Sequence, residues 1–443
     1  MPAPSRWSDI PRQGETSFGL GTGPFWRGAE RRGLGWCHPK AVLAADFYNA
    51  RYALSGAEKE PAALFATVRS SPHLLADAAG LYRLFGPNEL AATKGVGAYI
   101  GGQATNTWLN SADLSKSNHV YQNAGCTTDV ALAPDGTLTA DLLKEDGSLN
   151  HHRFYSIPAY DTALPGLHYG FFRPAGREWI TFSSNGVGRC KFRLSGAGAA
   201  SPMATNPPIA CGVLPAAYGY YLCWAVVLEV RAAQGLIWCL ANGDPGNDYQ
   251  PAYQGDGASG VYAWGLGYHQ QSFLAPPILS GATAATRLAS DVRAASLDWF
   301  AAAGLQAGFS VLSAINLSHL GDGVSRVVFS LNNGTTGNAT RVYINAGDTL
   351  QMASSRDGAA EFAGQTLPAA LGRQKIAFRL DGAGGVMKSK AGAALSATLP
   401  LPNGPTTLSI GSQLATGYLN DLIERMEICR PLTDGEMDAW VAA

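Results

Sequence analysis

The feature that most constrains the fold of this chain is a long series of short apolar runs ended by Gly, Pro or Asn. In "KIAFRL", Ile376, Phe378 and Leu380 fall on one face if the run is a strand, because strand side chains alternate with a period of two. The composition agrees: 53 glycines, 25 prolines and only 15% charged residues suit short strands joined by turns better than helices. We therefore predict an all-β fold.

The strand-like runs form two series. The first contains "REWITFSSNG" (177–186), "CKFRLSG" (190–196), "GYYLCWAVVLEV" (219–230), "GLIWCLANG" (235–243) and "SGVYAWGLGY" (259–268). The second includes "GFSVLSAINL" (308–317), "SRVVFSLNNG" (325–334), "RQKIAFRLDG" (373–382) and "TTLSIGS" (406–412). Between them, the prolines of "FLAPPILSGATAAT" (273–286) indicate a linker. Only the C-terminus predicts a helix, with Thr433 as N-cap and Glu436 completing a capping box.

This pattern divides the chain into four segments. Residues 1–40 lack periodicity and are predicted to be an extended N-terminal attachment arm. Residues 41–103 are predicted to be a connecting region of short strands, residues 104–275 a first β-sandwich, and residues 287–443 a second one.

Charge and apolar runs exclude several classes of protein. The formal net charge of -1 gives no basis for nucleic-acid binding. The N-terminus has no apolar signal-peptide core, and no run of 18 apolar residues predicts membrane insertion, so we expect synthesis in a bacterial cytoplasm without a signal peptide. Seven cysteines occur without a C-x-x-C pair, which favours buried reduced thiols, as at Cys223 and Cys239.

The aromatic residues of the run "GDGASGVYAWGLGYHQQSF" (255–273) have two possible roles: they fill the core, or they form a platform for a ligand. Tyr262 and Trp264 alternate with small residues, and we interpret both aromatics as filling the core between sheets, with the small residues admitting another layer. The alternative is an aromatic platform for a sugar. Tyr268 and His269, at the end of the run, are predicted to be free to contact a ligand.

The turn-rich stretch before this strand is a candidate saccharide rim, because sugar recognition combines an aromatic plane with amide, carboxylate or guanidinium partners. Its candidate residues are Asn242, Asp244, Asn247, Asp248, Tyr249 and Tyr253. The alternative is that Asn, Asp and Gly are simply the residues from which turns are built. His151 and Arg153 are added as a surface cluster, whereas Trp179 is assigned to the core.

No catalytic or metal-binding residue is predicted. His151 and His152 are adjacent on a strand and point to opposite faces, so they do not share a metal. The segment "NGDPGND" (242–248) leaves calcium open as a cofactor, without the spacing of an EF-hand loop. Glu424 and Glu427 are placed on opposite faces of a strand, which does not suit the paired carboxylates of a glycosidase.

The order of motifs resembles a known family. It runs from "DFYNARY" and "GVGAYIGGQATN" (46–106), through "DGTLTADLLKEDGSLNHHR" (135–153), to "TTLSIGSQLATGYLNDLIERMEICRPLTDGEMDAW" (406–440). This order is similar to that of phage head-spike and tail-fibre proteins, including the head spikes of gene transfer agents. The resemblance implies a jelly-roll carbohydrate-binding-like domain for residues 104–275 and a concanavalin-like (laminin-G-type) domain for residues 287–443.

The same resemblance implies a function. It predicts a non-enzymatic virion spike or fibre protein on a phage or phage-like particle surface, adhering to host surface or capsular polysaccharide. Residues 1–40 would join it to a capsid or to another spike subunit. Two alternatives stay open: a tailspike depolymerase that cleaves the polysaccharide, and a purely structural spike or collar subunit.

Overall fold

The computed structural model describes residues 34–158, 164–184, 186–228, 235–362, 366–390 and 394–443, with backbone only at 360–362. The chain is all-β and forms two compact units. Within the described residues, unit 1 comprises Ser71–Gly86 and Gln103–Leu288, and unit 2 comprises 34–70, Pro87–Gly102 and Ala289–Ala443. The prediction of an all-β protein built from β-sandwiches is confirmed.

The described residues form many short strands, numbered in chain order. The first are β1 Ala41–Asp46, β2 Arg51–Leu54, β3 Ala57–Glu58, β4 Phe65–Val68, β5 His73–Ala76, β6 Tyr82–Phe85, β7 Ala92–Thr93, β8 Gly97–Ile100, β9 Ala104–Asn106, β10 Val120–Gln122, β11 Ala124–Ala131 and β12 Ala140–Glu145. The next are β13 Leu149–His151, β14 Arg153–Ser156, β15 Gly166–Ala175, β16 Trp179–Ser184, β17 Val187–Arg193, β18 Ala199–Pro202, β19 Ala210–Pro215, β20 Tyr221–Val227, β21 Leu236–Ala241, β22 Ala252–Gln254, β23 Gly260–His269 and β24 Ala285–Arg287. The last are β25 Asp291–Ala294, β26 Gly308–Leu317, β27 Arg326–Asn332, β28 Ala339–Ile344, β29 Thr349–Arg356, β30 Ala359–Phe362, β31 Leu367–Pro368, β32 Gly372–Asp381, β33 Gly384–Ser389, β34 Leu395–Ala397, β35 Thr407–Ile410 and β36 Asp421–Cys429.

Helices are short. They are α1 Pro61–Leu64, α2 Asp298–Ala302 and α3 Asp434–Ala442, with 3-10 turns at Ala217–Gly219 and Leu305–Ala307. The predicted capping box is confirmed at α3, where the Thr433 hydroxyl accepts from the backbone of Glu436 and the Glu436 side chain accepts from the backbone of Thr433. None of the helices described is long and apolar enough to cross a membrane.

Unit 1 is a sandwich of two six-stranded sheets. Sheet S1 has the order β10-β14-β21-β16-β17-β18, and sheet S2 has the order β11-β12-β23-β15-β20-β19. Between them, Trp238 on S1 packs against Phe182 and against Phe172 of S2, with ring centroids 4.9 and 4.8 Å apart. Cys223 and Cys239 are buried free thiols, as expected. The second face of S2 is also covered, by a cluster that includes Leu74, Tyr82 and Trp264.

The run that contains Tyr262 and Trp264, for which core and ligand-platform roles were considered, forms β23 in the middle of S2. Trp264 is buried, and Tyr262 is partly buried. The expected layers are reversed, however: Val261 and Ala263 face the core between S1 and S2, whereas Trp264 lies in the cluster on the other side of S2. At Gly265 the backbone has a φ of 60°, in the left-handed region, and the pairing with β15 shifts register nearby. After this irregularity, the next even-numbered residues, Leu266 and Tyr268, face the core between S1 and S2.

Unit 2 is a second sandwich. Sheet S3 has the order β3-β2-β1-β36-β26-β32-β33-β34, with β8 also paired to β36 and β7 to β8. Sheet S4 has the order β30-β29-β28-β27-β35-β25-β4, with β31 paired to β29. Phe378 of S3 lies 5.6 Å from the ring of Phe329 of S4 in the shared core. On the outer side of S3, helix α3 covers Leu312, Ala377 and Cys429.

The described end of the predicted arm, residues 34–40, lies along β36 and α3 of unit 2. The backbone N–H of His38 donates to Glu427 Oε2 at 2.8 Å, and Arg425 donates to the carbonyl of Trp36. Lys40 forms an ion pair with Glu436 at 2.9 Å. Residues 1–33 of the predicted arm lie outside the described residues.

The segment 41–103, predicted to be a connecting region, contributes strands to both units. Strands β1 and β8 pair with β36 in S3, and β4 pairs with β25 in S4, whereas β5 and β6 belong to unit 1. These pairings join residues far apart in the sequence, which is why local patterns did not reveal them.

Candidate functional site

The outer face of S1, the one turned away from S2, carries a row of polar side chains. Register aligns Arg153 with Cys239, Cys239 with Thr181, and Thr181 with Lys191 across four neighbouring strands. Residues paired directly across a sheet project from the same face. The alternating residues, such as Phe182 and Trp238, fill the core, so the pleat places these polar groups on the outside.

Residues 242–251, which we name the 242–251 loop, lie over the middle of this outer face. The hydroxyl of Thr181 donates to the carbonyl of Tyr249 at 2.6 Å, and the backbone of Ala204 donates to Asn247 Oδ1 at 3.0 Å. These bonds attach the loop at both sides, and Thr181 is fully buried beneath it. The loop is therefore a fixed part of the face.

Within the loop, two of the predicted ligand residues also stabilise turns. Asp244 Oδ1 accepts from the backbone of Gly246 at 2.9 Å, and Asp248 Oδ1 accepts from Gln250 at 3.0 Å. Asp244 also forms an ion pair with Lys191 at 2.5 Å, and this contact, with the Gly246 bond, lowers the pKa of the Asp244 carboxyl. Asn242 is exposed and forms no side-chain hydrogen bond with the described residues.

Two arginines on this face lie beside aromatic rings. The Arg189 guanidinium lies 4.0 Å from the centre of the Tyr249 ring, and its Nε donates to the carbonyl of Gly186 at 2.7 Å. The Arg153 guanidinium lies 5.9 Å from the Tyr155 ring, and its Nε donates to Gln122 at 2.7 Å. Both stacks hold a planar cation and a partly buried aromatic side chain in a fixed geometry.

His151 lies two residues before Arg153, at the end of β13. It is partly buried, and burial together with the nearby Arg153 charge lowers its pKa. His152 points the other way and is fully buried, with Nδ1 2.6 Å from the carbonyl of Asn123. The two rings thus occupy opposite sides of the chain, as the alternation predicts.

Tyr253, one of the predicted ligand residues, lies in the interior. Its hydroxyl donates to Glu145 Oε2 at 2.7 Å, and Arg177 donates to the same oxygen at 2.8 Å. Burial and the adjacent Glu145 raise the pKa of Tyr253. A buried carboxylate needs such partners, so Tyr253 has a structural role and does not face a ligand.

Tyr268 and His269 are also interior residues, which corrects the prediction that they are free to contact a ligand. They are 1% and 0% exposed. Strand β23 continues through both of them, paired to β15, and His269 Nε2 lies 2.8 Å from the hydroxyl of Tyr169. The strand therefore ends later than the sequence suggests, and its last two residues are enclosed.

Sequence reasoning missed several residues of the outer face, among them Arg189, Lys191 and Trp179. Trp179 was assigned to the core but is partly buried on the outer face, with Lys191 Nζ 5.7 Å from its ring centre. The alternation in "CKFRL" could have indicated the outward direction of Lys191, because Cys190 and Phe192 are apolar. The 242–251 loop position depends on long-range contacts that the sequence does not reveal.

The resulting site combines exposed amide and carboxylate groups, guanidinium groups and aromatic planes on a rigid sheet. This is the chemistry of saccharide recognition: a ring stacks on an aromatic side chain while its hydroxyls form hydrogen bonds. Among the described residues, no three His, Cys, Asp or Glu side chains are grouped to hold a metal ion.

No protein-family model matches the chain, and no curated protein matches it in sequence. Solved structures with some similarity include the CBM40 module of Ruminococcus gnavus IT-sialidase bound to α2,6 sialyllactose, at 19% identity over 32% of this chain and 87% of that one, with a TM-score of 0.26. Domains LG4-5 of the mouse laminin α1 chain match at 7% identity over 64% and 85%, with a TM-score of 0.21. Trypanosoma rangeli sialidase in complex with sialic acid matches at 8% identity over 68% and 66%, with a TM-score of 0.23.

Proposed function

We propose that this protein is a non-enzymatic glycan-binding protein whose ligand lies on the outer face of S1, beside the 242–251 loop. The observation that carries the proposal is the Tyr249 ring, held 4.0 Å from the Arg189 guanidinium on a loop fixed to the sheet. A sugar ring would pack on the exposed aromatic surface of this group, and Asn242 and Asp248 would bond its hydroxyls. A fixed site loses little conformational entropy on binding.

The acidic residues support binding over catalysis. A glycosidase needs a general acid whose pKa is raised, whereas contacts with Lys191 and Gly246 lower the pKa of Asp244. The expectation that Glu424 and Glu427 face opposite sides of β36 is corrected by a register shift next to Glu424. Both carboxylates lie on the outer side of S3, where they pair with Arg373 and Arg425. Each is buried and neutralised by its arginine.

A direct test combines binding and cleavage. The purified full chain is applied to a glycan array, and each bound polysaccharide is then incubated with it and examined by gel electrophoresis. We expect binding without shortening of the polysaccharide. Shortened products would instead support the depolymerase alternative, and the lack of any bound glycan would contradict the proposal and favour a purely structural subunit.

The matched variants are Tyr249→Ala and Tyr262→Ala. Both tyrosines are partly buried under an arginine, since Arg173 lies 4.3 Å from the Tyr262 ring, but Tyr262 belongs to S2. Removing an aromatic anchor typically weakens binding by about tenfold to a hundredfold, so Tyr249→Ala should lose this much affinity. Tyr262→Ala should bind as the unaltered chain does. Equal affinities for all three chains would place the ligand elsewhere.

The finer proposal is that the protein is a spike or fibre on a phage or phage-like particle and that its glycan is host capsular or surface polysaccharide. The ordered motifs of the sequence support it. Many copies on one particle would raise the avidity of weak single-site contacts by roughly 10²–10⁴. Labelled protein, presented in many copies on beads, should adhere to encapsulated cells and not to capsule-free cells of the same strain. Equal adhesion to both would contradict the capsular ligand.

A further inference from the structure

The outer face of S1 is cationic in a chain that is close to neutral overall. Its strands carry Arg153, Arg189, Lys191 and Arg193, and the 242–251 loop supplies the carboxylates of Asp244 and Asp248. The formal net charge of the whole chain is -1, so this excess is local.

Among the described residues, neither nearby carboxylate forms an ion pair with either of the two stacked arginines. Asp244 is paired with Lys191 at 2.5 Å, and Asp248 accepts from the backbone of Gln250. Within the described residues, neither Arg153 nor Arg189 forms an ion pair with Asp or Glu. Arg177 of the same unit shows the contrast, because two of its nitrogens donate to Glu145.

Each of these guanidinium groups is oriented by a bond from Nε. Arg153 Nε donates to the Gln122 amide, and Arg189 Nε donates to the Gly186 carbonyl, both at 2.7 Å. The terminal nitrogens form no hydrogen bond with the described residues, so the planar edge that they define is available to an anion. A guanidinium edge matches the two oxygens of a carboxylate or sulfate group, and an oriented edge loses less entropy on binding.

The spacing adds a second constraint. Arg153 on β14 and Arg189 on β17 are separated by β21 and β16, which makes three strand-to-strand steps. At about 4.8 Å a step, the two strands lie about 14 Å apart, which exceeds the length of one sugar ring. An anionic ligand that contacts both arginines must therefore extend over more than one sugar.

We infer that the ligand is an acidic glycan, an oligosaccharide or polysaccharide with carboxylate or sulfate groups on more than one of its sugars, bound through Arg153 and Arg189. This inference rests on the proposed glycan-binding function and specifies the ligand class of the same site. Partial burial of both arginines strengthens their interaction with an anion, because the local dielectric is lower than that of water.

The test uses the full chain on an array that contains carboxylated, sulfated and neutral glycans of matched length. We expect binding to acidic members, stronger for oligosaccharides than for monosaccharides, and weaker as salt rises because exposed charges are screened. The carboxylated and sulfated arms identify the anionic group. Binding to neutral glycans with equal affinity, or binding that salt does not change, would overturn the inference and leave glycan binding standing. A chain that binds no glycan would fail the proposed function itself.

The matched variants replace each arginine with glutamine, which removes the charge and keeps a polar side chain on the face. Arg153→Gln with Arg189→Gln should reduce affinity for acidic glycans by about tenfold or more, since each charge-assisted bond contributes roughly that much. The control is Arg173→Gln on S2, where the guanidinium is likewise stacked on a tyrosine and donates to a backbone carbonyl. Circular dichroism checks folding, and the single variant Arg153→Gln serves if the double variant is unstable. Unchanged affinity in folded variants would overturn the inference.

Discussion

His168 shows how a single residue couples the interior of unit 1 to pH. Its ring lies between Phe182 and Tyr268, with centroids 4.9 Å from each, and it is 1% exposed. Neither ring nitrogen has a hydrogen-bond partner among the described residues. Burial therefore lowers the pKa of His168 from 6.5 to about 3.

This burial predicts an acid-sensitive fold. Between pH 6.5 and pH 3 the unfolded chain binds a proton at His168 and the folded chain does not, so acidification favours unfolding. The free energy of unfolding should fall by up to about 1.4 kcal/mol per pH unit from this residue. Denaturant unfolding at several pH values measures it. His168→Phe should reduce the slope, whereas equal slopes in the two chains would contradict the prediction.

A mutation of Tyr253 tests whether this tyrosine has a structural role or binds the ligand. Its hydroxyl bonds the fully buried carboxylate of Glu145, which Arg177 also contacts. Tyr253→Phe should lower the free energy of unfolding by about 1–3 kcal/mol, because a buried acceptor loses a donor. Glycan affinity of the folded variant should not change. Lost affinity with unchanged stability would return Tyr253 to the binding site.

At the scale of elements, the positions of strands could be predicted from the sequence. The side of the sheet that each side chain faces could not always be predicted. Runs such as "REWITF" and "GLIWCL" became β16 and β21 because apolar alternation and turn residues are local signals. The layers of β23 could not be predicted because both faces of S2 are buried, so alternation alone does not show which residues face S1. The irregular backbone at Gly265 then turns the later residues Leu266 and Tyr268 toward the core between the sheets.

Gly265 gives a test of this irregularity. Its φ of 60° is strained for any residue with a Cβ, and an added Cβ would lie 3.0 Å from a ring carbon of Phe171. Gly265→Ala should destabilise unit 1 by about 1–3 kcal/mol. Gly281→Ala is the control, because its added Cβ meets nothing within 4 Å. The prediction fails if thermal unfolding of the two variants is the same.

Part of the candidate site could be predicted from the sequence, because some of its signals are local and others depend on long-range contacts. The composition of the 242–251 loop identified Asn242, Asp244, Asn247, Asp248 and Tyr249, and the loop lies on a polar sheet face with Arg153 nearby. Arg189 belongs to the site through its contact with Tyr249, 60 positions later in the sequence, and no local pattern reports such a contact. Tyr268 and His269 were misplaced because the end of a strand is a weak local signal.

At the scale of the whole molecule, the chain path explains why segment boundaries are hard to infer. Unit 2 is assembled from stretches before and after most of unit 1, and β1 of the early stretch pairs with β36 near the C-terminus. The register joins Ala45 to Met426, two residues of one core. Such pairings have a large sequence separation and leave no local trace.

This path predicts that residues 287–443 do not fold alone, although the sequence marks them as a separate sandwich. Without residues 34–102, β36 loses β1 and β8, and β25 loses β4. The exposed strand edges and apolar core should cause aggregation. Gel filtration and circular dichroism compare the truncated chain with the full chain. A monomer with a cooperative thermal transition would contradict the prediction.

The central claim is that a glycan binds the outer face of S1 beside the 242–251 loop, and hydrogen–deuterium exchange on the full chain tests it most directly. Exchange is measured with and without the strongest glycan found on the array. Binding should slow exchange in residues 242–251 and in β16 and β17. Protection confined to unit 2, or to the cluster around Tyr268 and His269, would contradict it.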